Sequence, residues 1–111
     1  MIVATLRVVV PARKRGEIHH ALLSVLGPTE VQAGCMSCHL YQEAERPNAF
    51  TLVQEWATQT DLDRYIRSDL YQKVLAVMES ASERPELRFD TVTHTAGIEA
   101  VQAARAGKVE R

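Results

Sequence analysis

The order of strand-like and helix-like segments, β-α-β-β-α-β, with one short hairpin spacer in a chain of 111 residues, predicts an α+β fold. The expected topology is ferredoxin-like βαββαβ with an extra C-terminal helix. A chain of this length supports one hydrophobic core. Residues 1–96 are expected to form the domain, and residues 97–111 a short helix with a frayed tail.

Residues 2–10 (IVATLRVVV) are apolar or β-branched at nearly every position, the pattern of a strand covered on both faces. Pro11 ends that run. In 12–26, Ile18, Ala21, Leu22, Val25 and Leu26 recur at helical spacing and define one buried stripe. Gly27-Pro28 should stop this helix. Residues 35–43 (CMSCHLYQE) and 49–57 (AFTLVQEWA) read as strands joined through 44–48, a polar spacer short enough for a hairpin. Thr60 followed by Asp63 signals a helix start. The stripe Leu62, Tyr65, Ile66, Leu70, Val74, Val77, Met78 and Ala81 then runs on, and Ser68-Asp69 within it predicts a bend between two helices. Pro85 precedes a last strand over 86–95, and 97–106 reads as a short helix.

Right-handed crossovers favour a split four-stranded sheet with both helices on one face. The other face, carrying apolar groups of the first strand, is then bare. A second sheet covers it at a gain of about 25 cal/mol per Å² of apolar area. A homodimer follows from that argument.

Composition narrows the function. Apolar residues make up 46% and charged residues 24%, as in ordinary globular proteins. The net charge of −1 excludes a dedicated nucleic-acid binder, which carries a basic excess. No run approaches the roughly 20 apolar residues of a membrane span. The N-terminus lacks the basic and apolar regions of a signal peptide. Two cysteines without an export signal point to reduced thiols and a cytoplasmic location.

Cys35-Met36-Ser37-Cys38-His39 matches C-x-x-C-H, the haem-attachment pattern, which belongs to exported proteins in a helical context. On a regular strand Cys35 and Cys38 face opposite sides, roughly 10 Å apart at about 3.3 Å per residue. That separation forbids a disulfide, and structural zinc lacks a second ligand pair. No metal is expected here; the thiols read as small strand side chains.

Alternation sorts the other candidates. Phe50, Leu52, Gln54 and Trp56 share one face of their strand; Cys35, Ser37, His39 and Tyr41 share one face of theirs. Arg88, Asp90, Val92 and His94 form a third set, and Arg7 groups with Val3, Thr5 and Val9. Trp56 suits a core anchor or a pocket wall stacking on a planar ligand. Tyr65 lies on the inner helical stripe, where its hydroxyl needs a partner. His39 and His94 are candidate bases near neutral pH.

These segments, from Gly34–Tyr41 through Pro47-Asn48 and Val53-Gln54-Glu55-Trp56 to Leu62–Tyr71, resemble the antibiotic biosynthesis monooxygenase domain, including quinol monooxygenase-like proteins. The likeness spans residues 2–95. It implies a dimeric α+β barrel with a pocket between sheet and helices. Some members oxidise quinol-like or polycyclic phenols with O₂, without metal or flavin, and many others have no known activity. Oxygenase members carry a Trp on the third strand, which Trp56 matches. Where some have an Asn four residues earlier, this chain has Leu52; where many quinol-type members have His, it has Tyr65. The haem-degrading branch uses an Asn and a His at places occupied here by Leu6 and Leu75, which argues against haem degradation.

The resemblance thus implies a cofactor-independent monooxygenase of small electron-rich aromatics. Trp56 is expected to stack, Tyr65 to hydrogen-bond a phenolic oxygen, Tyr41 and Arg7 to contact substrate, and His39 or His94 to serve as base. The alternative is a non-enzymatic dimeric module that binds a small aromatic molecule or serves a stress response.

Overall fold

In the computed structural model, which describes residues 1–107, the elements run β1 (Ile2–Val9), α1 (Arg15–Glu30), β2 (Cys35–Gln42), β3 (Ala49–Trp56), α2 (Gln59–Ile66), α3 (Asp69–Glu79), β4 (Glu86–Thr91) and α4 (Ile98–Arg105). A 3₁₀ turn at Ala12–Lys14 leads into α1. The frayed tail expected past Gly107 lies outside the described residues.

The sheet order is β2-β3-β1-β4, with every neighbouring pair antiparallel. β1 and β2 therefore run parallel with β3 between them, and β3 and β4 run parallel with β1 between them. This is the split βαββαβ arrangement that the segment order predicts.

Helices cover one face of that sheet. Ile2, Ala4, Leu6 and Val8 of β1 and Phe50, Leu52, Gln54 and Trp56 of β3 point under them and are buried. Ile18, Leu22 and Val25 of α1, Leu62 and Tyr65 of α2, and Tyr71, Val74 and Val77 of α3 close the core from above. The opposite face carries Val3, Thr5 and Arg7, then Thr51, Val53 and Glu55, then Ser37, His39 and Tyr41. One correction follows: within a single chain the second face of β1 is mixed rather than apolar, with Val3, Thr5 and Arg7 half-buried there and Val9 at its end buried. β-Branched residues suit a strand on either face, so the run of valines hid the alternation.

α1 continues through Gly27-Pro28 to Glu30 instead of stopping there. Pro28 withholds one hydrogen bond, but the carbonyl it would have served belongs to exposed Ser24, which water can satisfy. Gly27, without a Cβ, relieves the clash that a proline ring makes with the preceding residue. The last turn is anchored by Thr29, which is wholly buried.

The second helical region starts two residues before the sequence signal. Thr58 is the N-cap; its Oγ1 accepts from the Asp61 amide at 3.1 Å and donates to Asp61 Oδ2 at 2.7 Å. The bend falls as expected, with Ser68 at the N-cap of α3. β4 ends at Thr91, opposite Ile2 at the start of β1, and the Val92 amide donates to the Met1 carbonyl as the last link. None of the α4 residues is buried, and Ile98 and Val101 stand exposed.

Gly34 closes the α1–β2 connection with φ +83°, and a Cβ there would sit 2.1 Å from Asp61 Cγ. Gly34→Ala combines a left-handed conformation with a collision against the helix-capping Asp61. It is expected to lower stability by about 1–3 kcal/mol, read as an earlier midpoint in urea unfolding.

Candidate active site

Between the sheet and the helices lies a narrow cleft. Ala4, Leu6, Leu52, Gln54, Leu87 and Phe89 form its floor, and Leu62, Tyr71 and Val74 its roof. The space it encloses is about 10 Å³, about enough for a single water. Its mouth opens at β4, where the helices do not reach across the edge strand. There Leu87 and Phe89 are 42% and 44% exposed although they point to the helix side.

Apart from Tyr71, Gln54 is the polar member of this lining. Its Nε2 donates to the Tyr65 hydroxyl at 3.0 Å, and its Oε1 accepts from Trp56 Nε1 at 3.3 Å. The amide also contacts the Cys38 thiol. Trp56 and Tyr65 stack at 4.7 Å with an interplanar angle of 27°, and Tyr65 meets Tyr71 edge-on at 5.2 Å. An aromatic column thus runs from the buried Trp56 to the cleft wall. Burial raises the Tyr65 and Tyr71 phenols above their ordinary range, opposed at Tyr65 by the Gln54 hydrogen bond. Both phenols are therefore protonated at neutral pH. The hydroxyl of Thr29 lies beside Tyr65, buried and without a hydrogen bond of good geometry.

The residues singled out from sequence do not converge. Trp56 and Tyr65 come together, but both are enclosed by the core rather than open to the cleft. His39 and Tyr41 pair on the opposite face of the sheet, ring centroids 6.4 Å apart. Arg7 lies on that same open face, held by both oxygens of Glu43 at 2.7 and 3.1 Å and by Glu86 at 3.0 Å. Its hydrogen bonds hold the Glu43 carboxyl below the usual carboxylate range. His94 is exposed in the segment after β4. Strand alternation is the physical reason: the odd positions of β1 and the face bearing Ser37, His39 and Tyr41 point away from the helices.

Sequence reasoning missed Gln54 as the central polar group, and Tyr71, Leu87 and Phe89 as lining. One signal was available. A glutamine between Leu52 and Trp56 on an otherwise apolar strand face needs partners, and the inner-stripe Tyr65 was the candidate.

The expectation for the cysteines is also corrected. A β-bulge places Cys35 opposite Trp56, Ser37 opposite Glu55 and Cys38 opposite Gln54. Met36 is the extra residue, so Cys35 and Cys38 face the same side, toward the helices. Burial pushes the Cys38 thiol up to about 11 and raises that of Cys35 as well.

Comparison with known proteins agrees with this architecture. The chain is similar to a conserved protein from Methanosarcina mazei Go1, with 27% identity and a TM-score of 0.74 over 80% of this chain and 89% of that one. An antibiotic biosynthesis monooxygenase-type protein from Deinococcus radiodurans superposes with a TM-score of 0.79 at 11% identity, covering 87% and 97%. Rv0793 from Mycobacterium tuberculosis gives 0.78 at 20%, covering 86% and 98%. Among curated proteins none matches the chain significantly in sequence. No helix among the described residues is long and apolar enough to cross a membrane. The family model for antibiotic biosynthesis monooxygenase matches residues 1–77, spanning β1 through most of α3, and the chain belongs to that family.

Proposed function

We propose that this protein is a monooxygenase that oxidises a small electron-rich aromatic, of the hydroquinone or anthrone kind, with O₂ and without a metal or flavin. Family membership supports the reaction class. The observation that carries the site is the apolar cleft whose floor presents the Gln54 amide, braced by Tyr65 and Trp56. In this reading the substrate gives its phenolic or enolic proton to water before it enters, its oxyanion meets Gln54 and Tyr71, and the ring passes an electron to O₂ in a water-poor space. One oxygen atom is kept in the product and the other leaves as water. Trp56 and Tyr65 position Gln54. A ring needs far more room than one water, so Leu87 and Phe89 at the mouth must swing aside on binding.

The cleft lining holds no histidine or carboxylate. A base role for His39, with Arg7 and Tyr41 as contacts, therefore belongs to a substrate on the open face, whereas a base role for His94 would need a substrate at the exposed segment after β4. The same lack supports a second reading, a small-molecule binding module that turns nothing over.

Oxygen uptake by purified, metal-free protein with a panel of hydroquinones and anthrones decides between these readings. Uptake that survives His39→Ala and His94→Ala but falls at least tenfold with Phe89→Trp, which plugs the mouth, supports the cleft. Loss with His39→Ala moves the reaction to the open face, and loss with His94→Ala moves it to the segment after β4. Thermal stabilisation by these aromatics without uptake supports the binding module.

We further propose that a second copy covers the open face through Val3, Val53 and Tyr41, closing the sheet as a homodimer. Light scattering at micromolar concentration should return twice the chain mass, and Val53→Lys should return the single chain.

A further inference from the structure

We propose that Cys35 and Cys38 form a two-coordinate site for a soft monovalent cation of the copper(I) or silver(I) type. The bulge at Met36 carries the argument. Cys35 lies opposite Trp56 and Cys38 opposite Gln54, and these partners are alternate residues of one regular strand. The two cysteines therefore project on the same side, about 7 Å apart along β2 by strand geometry. The Cys35 thiol donates to the Ser37 carbonyl oxygen, with Sγ 3.5 Å away, one residue short of Cys38.

That spacing selects the chemistry. It reaches the upper edge of the roughly 4.4–6.8 Å between Cα atoms that a disulfide accepts, so the pair is kept as two thiols. A bridging ion spans the gap that a sulfur–sulfur bond does not. Zinc needs four ligands, and no group of three His, Cys, Asp or Glu side chains stands ready to hold a metal among the described residues. Two thiolates alone suit a soft ion that is content with few ligands.

Access and surroundings fit as well. β2 is an edge strand, and a shallow groove rimmed by Glu30, Met36 and His39 leads to both cysteines. Cys35 is half-buried and Cys38 buried beside Gln54, so a compact ion has a route that a bulky reagent lacks. On binding, each S–H bond breaks and its proton goes to water. Two sulfur–metal bonds form, and the bound unit carries one net negative charge. Because a thiol binds the ion as thiolate and gives up its proton, binding should tighten as pH rises.

The test uses the full chain, fully reduced and metal-free under nitrogen, titrated with silver(I) at pH 7 while proton release is followed. The expected result is one ion per chain and two protons per ion. Cys35→Ser should weaken binding at least about 100-fold, the loss of a two-point attachment. Cys38→Ser should do the same if circular dichroism shows it folded. Two ions per chain with one proton each would overturn the proposal, as would Cys35→Ser binding within about threefold of the unmodified chain. Stoichiometry and Cys35→Ser decide the matter even if the buried Cys38 does not tolerate replacement.

Discussion

Trp56→Ala is expected to remove about 3–5 kcal/mol of folding stability, the range for truncating a large buried aromatic. Trp56 is 0% exposed and stacks on Tyr65 at 4.7 Å. It sits at the end of β3, paired with Ile2 on one side and Cys35 on the other, so the cavity left behind touches three strands. A domain of this size has only about 5–15 kcal/mol in total. The variant should therefore lie near the edge of folding at 25 °C. Trp56→Phe should recover much of the loss, since it keeps the stack and gives up only the indole's second ring and its N–H. Urea unfolding followed by circular dichroism is the measurement, because the chain's single tryptophan disappears in both variants. A loss under about 1 kcal/mol for Trp56→Ala would contradict the burial described here.

Gln54→Leu is the second large effect, and its cause is polar. The substitution is close in volume and adds apolar character, so hydrophobic burial alone predicts no penalty. It leaves the Trp56 N–H and the Tyr65 hydroxyl without their partner in a water-free interior, at about 1–3 kcal/mol for each orphaned group. Adding Tyr65→Phe removes one of those orphans, so the double variant should be more stable than the sum of the single losses predicts. Additive losses would mean that the Gln54–Tyr65 hydrogen bond contributes nothing. The same substitution reports on chemistry. If the Gln54 amide holds the substrate oxygen, Gln54→Leu should abolish oxygen uptake while leaving a folded protein.

The fold was legible because local signals agreed with one another. The strand at 49–56, the hairpin spacer before it and the helical break at Ser68-Asp69 all lie where the residue pattern places them. The face of β3 that carries Phe50, Leu52, Gln54 and Trp56 was also readable, since period-two alternation survives wherever the strand is regular. It failed at Met36, where a bulge shifts the count by one and brings Cys35 to the side of Cys38. A bulge arises from the pairing of two strands, and C-M-S-C carries no local mark of it. The site was less legible than the fold. His39, Tyr41 and Arg7 were attractive for their chemistry, yet the side of the sheet they occupy depends on where the helices lie, and His94 falls beyond the end of β4.

Segment order and period by themselves determined the βαββαβ topology, the hairpin, the split second helix and the apolar core. Those are consequences of backbone preference and burial, written locally along the chain. The tertiary structure alone decided which sheet face is covered, that Gln54 rather than a histidine stands at the cleft, and that the two thiols are neighbours. These depend on distances between segments far apart in sequence, which no local pattern encodes.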